Sequence, residues 1–274
     1  MPTFLIVGAQ KAGTTSLADL LRRHPRIGMA STKEVHYFDR QRDYGLRWYT
    51  SRFRRVADRP VRFEATPNYM YAPVALPRMA RVLPDTVRFV AILRDPVDRA
   101  YSHYWHSRRV GAITVSFEEA LRLEPRYLAE GQRAWWSLVD RGRYLRQLQR
   151  FTEAMGRDRL LVVLFDDLLR DPAGTADRIA EFVGVEPLGA AWGPLPRSNR
   201  ARRRVVPAAM MRVLSKLPSI VSNRIRRGLI HVLSVPFTPP PMNPATRAEL
   251  AAVFRADNDA LAEWLGRDLS GWTR

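Results

Sequence analysis

Short apolar runs rich in β-branched residues alternate along this chain with stretches that have the spacing of amphipathic helices. Strands are predicted over four such runs, Phe4–Val7, Val61–Phe63, Val87–Leu93 and Leu160–Phe165. Helices are predicted over six stretches between and beyond them, Thr15–Arg23, Val74–Leu83, Val97–Arg109, Phe117–Leu123, Tyr144–Met155 and Pro172–Val183. This alternation predicts an α/β fold with a parallel sheet and helices on both faces. Such a sheet binds ligands beyond the carboxyl ends of its strands, so the residues after each strand are the first candidates for a site.

The length of 274 residues is close to the upper size for one hydrophobic core, so a single domain over residues 1–274 is predicted. Within it we expect an α/β core at 1–193, a basic loop and amphipathic helical insert at 194–244, and a C-terminal helical extension at 245–274. No apolar run approaches the ~20 residues that cross a bilayer, and the first apolar run reads as a strand rather than a signal peptide. The absence of Cys excludes disulfides and thiolate sites. A cytoplasmic location is expected.

Basic residues outnumber acidic ones by 45 to 27, which gives a net charge of +18 and predicts a partner with several negative charges. Nucleic acid, a membrane surface and a small polyanion all meet that description. Only three of the basic residues are lysines, at positions 11, 33 and 216. Because Arg and Lys differ in geometry and hydration, a lysine in a chain this rich in Arg marks a candidate functional position.

The first predicted strand runs into a glycine loop, which a predicted helix follows. Such a loop offers backbone N–H groups and the positive end of a helix dipole to an anion. Gly8 and Gly13 have the spacing of the ATP-binding loop G-x-x-x-x-G-K-[ST], but Thr14 stands where that loop has Lys, and Lys11 supplies the cation. We therefore predict a phosphate site formed by Lys11, Ala12, Gly13, Thr14, Thr15 and Ser16.

A second phosphate-binding pair is predicted after the strand Val87–Leu93. Arg94 stands at the carboxyl end of that strand, and Ser102 lies two turns into the helix that follows Asp95-Pro96. A guanidinium fork and a hydroxyl can bind one phosphate together. The alternative is that these residues serve only as ordinary caps.

Four motifs resemble those of the sulfotransferases that use 3′-phosphoadenylyl sulfate (PAPS), and they follow the same order along the chain as in that family. Residues 10–17 resemble their 5′-phosphosulfate loop, and residues 94–102 are similar to their 3′-phosphate motif. Between these, K-E-V-H-Y-F-D at 33–39 and E-A-T-P-N-Y at 64–69 resemble the K-E-x-x-[FY]-F-D and E-x-[ST]-P-x-Y segments of the heparan-sulfate, or carbohydrate, branch. The resemblance extends to bacterial members and implies a P-loop-type parallel sheet flanked by helices.

The resemblance also implies roles for individual residues. PAPS would be the co-substrate, adenosine 3′,5′-bisphosphate the product, and no metal would be needed. Lys11 matches the family's lysine that stabilises the leaving phosphate, and Glu34 matches the carboxylate proposed as base. Lys33 would keep Glu34 ionised by Coulomb attraction. His36 is the competing base, two residues along a segment expected to be extended, and Asp39 could assist.

This chain departs from the family at the loop that closes over the cofactor. The heparan-type enzymes have a disulfide-bounded hairpin and a K-G-R-like run there, whereas this chain lacks Cys and reads R-S-N-R-A-R at 197–202. Arg200 and Arg202 are predicted to contact the cofactor. The acceptor is expected to be a small molecule, a glycan or a glycolipid.

Two alternative interpretations stay open at this level, a P-loop kinase-like enzyme and a basic nucleic-acid-binding protein. The kinase would have Lys after Gly13 and an acidic metal ligand at a strand end, where this chain has Thr14 and Arg94. A nucleic-acid-binding module would interleave aromatic with basic residues, whereas these arginines are spread along the chain. Peripheral membrane contact through the basic amphipathic residues 208–235 would be compatible with catalysis. No metal site is expected from the five histidines, which include no H-E-x-x-H motif.

Overall fold

The computed structural model describes residues 1–40, 44–196, 204–205, 235–236 and 238–273, and five of its strands form one parallel sheet. The strands are β1 (Phe4–Gly8), β2 (Ile27–Met29), β3 (Val61–Ala65), β4 (Arg88–Leu93) and β5 (Leu160–Leu164), in the order β2-β3-β1-β4-β5. A separate antiparallel pair joins β6 (Arg204–Val205) to β7 (Val235–Pro236). Because β1 lies between β3 and β4, its carboxyl end opens at the centre of the sheet, where ligands of such folds bind.

Helices occupy much of the chain between these strands. The described α-helices are α1 (Thr14–Leu21), α2 (Leu46–Ser51), α3 (Ala75–Val82), α4 (Pro96–Arg109), α5 (Phe117–Ala129), α6 (Arg133–Trp136), α7 (Tyr144–Met155), α8 (Phe165–Arg170), α9 (Pro172–Val183) and α10 (Pro244–Leu265). None of these helices has the length and apolar composition needed to span a bilayer.

Both faces of the parallel sheet are covered by helices. Successive residues of a strand point to opposite faces, so neighbours in β4 contact different helices. Val90 packs in a core with Leu17 of α1 and Ile179 of α9. Phe89, on the other face, meets the ring of Phe151 of α7 with the centroids 5.0 Å apart. The predicted α/β architecture is therefore confirmed, and α10 is its helical C-terminal extension.

The chain divides into two compact units. The first unit, which holds the parallel sheet, consists of Met1–Asp95, Arg143–Ser198 and Ala256–Leu269. The second consists of Pro96–Gly142, Asn199–Arg255 and Ser270–Arg274, with an apolar core that includes Val97, Phe117 and Phe254. A single domain over residues 1–274 remains a prediction. The amphipathic stretch 208–235 lies almost entirely outside the described residues.

Several short elements, among them β2 and α2, are not predicted by the sequence patterns, and one helix is longer than predicted. The strand β2 has three residues and α2 has six, so neither has enough turns or alternations to show a period. The helix α5 passes through Pro125 and ends at Ala129 rather than at Leu123. The buried carboxylate of Glu124 accepts the main-chain N–H of Val139 at 2.8 Å, which ties this turn to the next segment.

Candidate active site

The glycine loop follows β1 at the centre of the carboxyl edge of the sheet. Gly13 immediately precedes α1, and its φ of 95° lies in the left-handed region that glycine adopts at little cost. A Cβ at this position would lie 2.4 Å from Cδ2 of Phe165, which leaves no room for a side chain. Since Gly13 cannot cap the helix with a side chain, the N–H groups of the first turn of α1 can bind an anion.

The predicted phosphate-loop residues all lie at this junction of strand and helix. Lys11 is half-buried and has a φ of 71°, while Ala12 and Thr14 are buried. Thr15 and Ser16 are half-buried in the first turn of α1. The predicted succession of strand, glycine loop and helix is therefore present, with the loop leading directly into α1.

Arg94 follows β4 directly, at the same edge of the sheet as the glycine loop. Its guanidinium lies over the ring of Phe165, 5.3 Å from the centroid, and its carbonyl accepts a hydrogen bond of 2.8 Å from the Tyr144 hydroxyl. The ring of Phe165 therefore packs beside both Arg94 and Gly13. Ser102 lies half-buried in the second turn of α4, in the second unit. Arg200 and Arg202 lie outside the described residues.

Three residues other than glycine have a positive φ in the described ranges, and all three are predicted catalytic residues. They are Lys11, Glu34 at 57° and His36 at 56°. A residue with a Cβ pays on the order of 1–3 kcal/mol for this conformation, and such strain clusters at functional sites. The prediction that Glu34 and His36 lie in an extended segment is therefore wrong. The Glu34 N–H donates to the carbonyl of Ala65 at 3.1 Å, which helps to hold the segment against the end of β3.

Glu34 and His36 belong to a row of alternating charges. The Lys33 ammonium donates to Oε1 of Glu34 at 2.9 Å, and Oε2 of Glu34 lies 3.6 Å from Nε2 of His36. The other ring nitrogen of His36, Nδ1, lies 2.8 Å from Oδ2 of Asp39. Asn68 donates to the same Asp39 oxygen at 2.6 Å. The imidazole of His36 is thus held between two carboxylates.

These contacts separate the proton affinities of the two candidate bases. Contact with His36 is the main cause that lowers the pKa of Glu34 to about 2, with burial opposing and the charge of Lys33 assisting. Burial acts to lower the pKa of His36, but its hydrogen bond to Asp39 and its contact with the Glu34 carboxylate outweigh burial and raise the pKa to about 9. At neutral pH Glu34 is therefore an ionised carboxylate, and His36 is an imidazolium with no lone pair to accept a proton.

A cavity of about 250 Å³ opens beside His36. Its lining consists of Thr32, Val35, His36, Arg40, Tyr44, Trp48 and Arg52. The rings of Tyr44 and Trp48 stack at 4.2 Å, and the guanidinium of Arg52 lies 4.7 Å from the Trp48 ring centroid. The cavity therefore combines an aromatic wall with two guanidinium groups next to the charged row.

Several residues that shape this site have contacts that the sequence does not predict. The strand pattern puts Phe165 at the end of a strand, yet it begins α8 and packs against Gly13. Asn68 carries no signal beyond its motif, because its contact with Asp39 comes from folding distant segments together. Trp48 lies in none of the four motifs. Trp192 is buried in the core, where Nε1 donates to Asp177 at 2.6 Å.

No group of three or more potential metal-ligating side chains occurs among the residues that the structure describes.

Known proteins are similar to this chain in sequence and in fold. The chain matches the Sulfotransferase domain family over residues 1–192. It is 32% identical over 186 residues to human heparan sulfate glucosamine 3-O-sulfotransferase 3B1, covering 68% of this chain and 47% of that protein. It is also 32% identical over 198 residues to human bifunctional heparan sulfate N-deacetylase/N-sulfotransferase 3, covering 68% of this chain and 23% of that protein. The chain thus spans about half the length of the first of these relatives and less of the second.

A solved structure extends the similarity to the full length of this chain. The crystal structure of a sulfotransferase from Alicyclobacillus acidocaldarius has a TM-score of 0.75 and 28% sequence identity, covering 100% of this chain and 99% of that one. The family match spans well over half of the chain and includes all four motifs, from the glycine loop to Ser102. This chain therefore belongs to the sulfotransferase family.

Proposed function

We propose that this protein transfers the sulfuryl group of PAPS to a hydroxyl of a carbohydrate or glycoconjugate, with Glu34 as the base. The observation that carries the proposal is the position of Glu34, an ionised carboxylate held by Lys33 and His36 beside a cavity that His36 lines. The left-handed backbone at Glu34 and His36 supports a functional role for both, since such strain persists where function requires it.

The glycine loop fits the phosphosulfate end of PAPS. The first turn of α1 offers backbone N–H groups, and Gly13 adds no side chain between the helix and an anion. We propose that Lys11, Ala12, Gly13, Thr14, Thr15 and Ser16 bind this end. Arg94 and Ser102 are proposed to bind the 3′-phosphate, and Arg200 and Arg202 to contact the cofactor from their loop. PAPS supplies an activated sulfuryl group and a bisphosphate leaving group.

Lys11 is proposed to stabilise the leaving oxygen during transfer. The acceptor oxygen forms a bond to sulfur while the bond between sulfur and the phosphate oxygen breaks, so negative charge grows on that phosphate oxygen. An ammonium group held beside it lowers the barrier because this interaction strengthens as the charge develops. The loop holds Lys11 in a left-handed conformation at the carboxyl end of β1, next to the predicted phosphate site.

Glu34 is proposed to take the proton of the acceptor hydroxyl. A carboxylate with a pKa near 2 is a weak base toward a free alcohol. The hydroxyl becomes far more acidic as its oxygen bonds to sulfur, and a weak base can then accept the proton. His36 keeps its own proton in this step and holds Glu34 in place through its contact with Oε2.

The cavity beside His36 supports a sugar ring as the acceptor. Its volume of about 250 Å³ lies just below the ~300–1,000 Å³ of typical ligand pockets, which suits one ring of a larger molecule. Stacked Tyr44 and Trp48 can cover the C–H face of a sugar, while Arg40 and Arg52 can bind polar or anionic substituents.

The alternative interpretations gain no support. A P-loop kinase needs Lys where this chain has Thr14, and the family match is to sulfotransferases. A nucleic-acid-binding role rests on net charge alone. Membrane contact through 208–235 and a cytoplasmic location remain predictions from the sequence.

The test is transfer of label from [³⁵S]PAPS to a panel of acceptors. The panel contains heparan sulfate oligosaccharides, neutral glycosides, a glycolipid and p-nitrophenol, and Glu34→Gln serves as the matched inactive variant. We expect label on at least one carbohydrate and a large loss in the variant. Transfer to the phenol alone would overturn the carbohydrate assignment, and binding without any transfer across a wider panel would overturn the enzymatic one.

A further inference from the structure

Glu64, at the end of β3, is completely buried and receives hydrogen bonds from three hydroxyl groups. Tyr49 and Tyr69 donate to its Oε1 at 2.8 and 3.0 Å, and Thr66 donates to its Oε2 at 2.6 Å. Burial raises the pKa of Glu64, and the three hydroxyls oppose that rise because each donates to the ionised form. Such a buried carboxylate is costly unless its oxygens are satisfied, as they are here.

Two of these three hydroxyls also touch the segment that carries the proposed base. The main-chain N–H of Tyr37 donates to the Tyr69 oxygen at 3.0 Å, and that of His36 approaches the Thr66 oxygen at 3.4 Å. The third hydroxyl, that of Tyr49, has no such bond to the main chain of residues 34–37 among the described contacts.

The chemistry of a hydroxyl group fixes which way each of these hydrogen bonds runs. A hydroxyl has one hydrogen to donate, and its lone pairs accept. All three hydroxyls lie within hydrogen-bond distance of the Glu64 oxygens, and in its ionised form a carboxylate can only accept. In that form Tyr69 and Thr66 donate their hydrogens to Glu64 and present lone pairs to the main chain. Those lone pairs match the N–H groups of Tyr37 and His36, so the carboxylate determines how both hydroxyls are oriented.

We propose that Glu64 is a positioning residue, which orients Thr66 and Tyr69 so that they hold the main chain of His36 and Tyr37 and thereby aim Glu34. The segment needs such support because Glu34 and His36 both have strained, left-handed backbone. This inference rests on the proposed function for its kinetic test, and a second readout below does not use activity.

Two tyrosines provide a matched comparison. Tyr69→Phe and Tyr49→Phe each remove one buried hydroxyl from the same oxygen of Glu64, but only Tyr69 also holds the main chain of Tyr37. We expect Tyr69→Phe to lower kcat by ~10-fold or more, since small misplacements of a reacting group are expensive. Tyr49→Phe should change kcat less than about threefold. In both variants the acceptor KM and the affinity for adenosine 3′,5′-bisphosphate should stay near wild type.

Thr66 supplies an independent pair of variants. Thr66→Val keeps the shape and removes the hydroxyl, whereas Thr66→Ser keeps the hydroxyl that bonds to Glu64. A positioning role predicts lower kcat for Thr66→Val and recovery in Thr66→Ser. A loss in both variants of equal size would show that packing, not the hydroxyl, matters here.

Titration of His36 by NMR tests the same arrangement without turnover. The carboxylates of Glu34 and Asp39 face its ring and raise its pKa to about 9, whereas burial and the charge of Arg40 act to lower it. Lys33 is bonded to Glu34. If Tyr69 positions this segment, Tyr69→Phe moves the pKa of His36 toward its ordinary value, and Tyr49→Phe does not. Equal shifts in the two variants, together with equal losses of Tm and kcat, would overturn the proposal. If the wild-type protein transferred no sulfuryl group, this titration would still test the positioning role of Glu64.

Discussion

Oε2 of Glu34 lies 3.6 Å from Nε2 of His36, and both residues adopt left-handed backbone two positions apart. This contact gives the two candidate bases different protonation states. Glu34 carries a negative charge at neutral pH, and His36, held also by Asp39, carries a positive one. At neutral pH one residue of the pair can therefore accept a proton, and the other is its cationic partner.

The first prediction concerns which residue is the base. Glu34→Gln keeps the size of the side chain and cannot accept the proton, so kcat should fall by roughly 10²–10⁴-fold. In wild type, kcat/KM should be flat from pH 5 to 8 and decline near pH 9, where His36 loses its proton. His36→Asn should remove that decline. A limb at pH 6–7 that disappears in His36→Asn would instead make His36 the base.

Stability should also depend on the protonation of His36. Its pKa is higher in the folded protein than in the unfolded chain, so its contribution is complete below about pH 6.5 and is lost as pH rises through about 9. The loss should be on the order of 1–3 kcal/mol. Urea denaturation at pH 6, 7.5 and 9 should show a steeper decline in wild type than in His36→Gln. Parallel declines would show that the imidazolium does not stabilise the fold.

A side chain at Gly13 should be destabilising for two reasons, backbone strain at its positive φ and collision with Phe165. A second glycine separates the cost of strain from the cost of collision. Gly184 has a similar φ of 82°, but a Cβ placed there would meet no atom within 4 Å, so Gly184→Ala should cost about 1–2 kcal/mol of strain. Gly13→Ala adds a collision with Phe165 and should cost about 1–3 kcal/mol more. Chemical denaturation measures both. Equal costs would mean that the ring of Phe165 moves aside freely.

Binding of adenosine 3′,5′-bisphosphate should be tighter than binding of AMP, because Arg94 is proposed to contact the second phosphate. A lost charge-assisted contact costs about 1.5–3 kcal/mol, or roughly 10- to 150-fold in Kd. Calorimetric titration of Arg94→Ala should bring the two affinities close together, whereas Arg81→Ala, at an exposed position of α3, should preserve the difference. If the wild-type protein bound adenosine 3′,5′-bisphosphate and AMP equally well, Arg94 would have no role in binding the 3′-phosphate.

Lys11→Arg should impair turnover although the charge is kept. A planar guanidinium cannot replace a compact ammonium in a tight turn with a φ of 71°. We expect kcat to fall by ~10²-fold or more, with bisphosphate affinity much less affected. Lys33→Arg is the comparison, since it keeps a cation beside Glu34 at a half-buried position and should lose less. Near-normal kcat for Lys11→Arg would show that any cation suffices there.

Local patterns are sufficient to predict the sheet and the glycine loop. The strands β1, β4 and β5 are almost continuous apolar runs, and β3 alternates apolar residues with Arg62 and Glu64. The alternation of these strands with helices favours a parallel sheet. The loop residues Lys11 and Gly13 are close to β1 in sequence, so their place in the fold follows from the strand. Only β2, with three residues, depends on pairing with β3 for its identity.

The geometry around Glu34 could not be predicted, because it depends on distant residues. The extended conformation expected for Glu34 and His36 is replaced by left-handed backbone that contacts Ala65 and Thr66. The sequence points to Lys33 as the charge partner of Glu34, but His36 lowers the pKa of Glu34 more. His36 can do so since Asp39, itself bonded by Asn68, orients its ring.

The central place of β1 has a consequence for synthesis on the ribosome. Phe4 pairs with Phe63 on one side and with Arg88 on the other, so both neighbours of this strand emerge long after it does. At ~5–20 residues per second, the strand waits for several seconds as an apolar segment without partners. Because β1 precedes both of its sheet neighbours in the chain, it is made before either of them, and slower translation lengthens the time for which its apolar side chains have no strand to pair with.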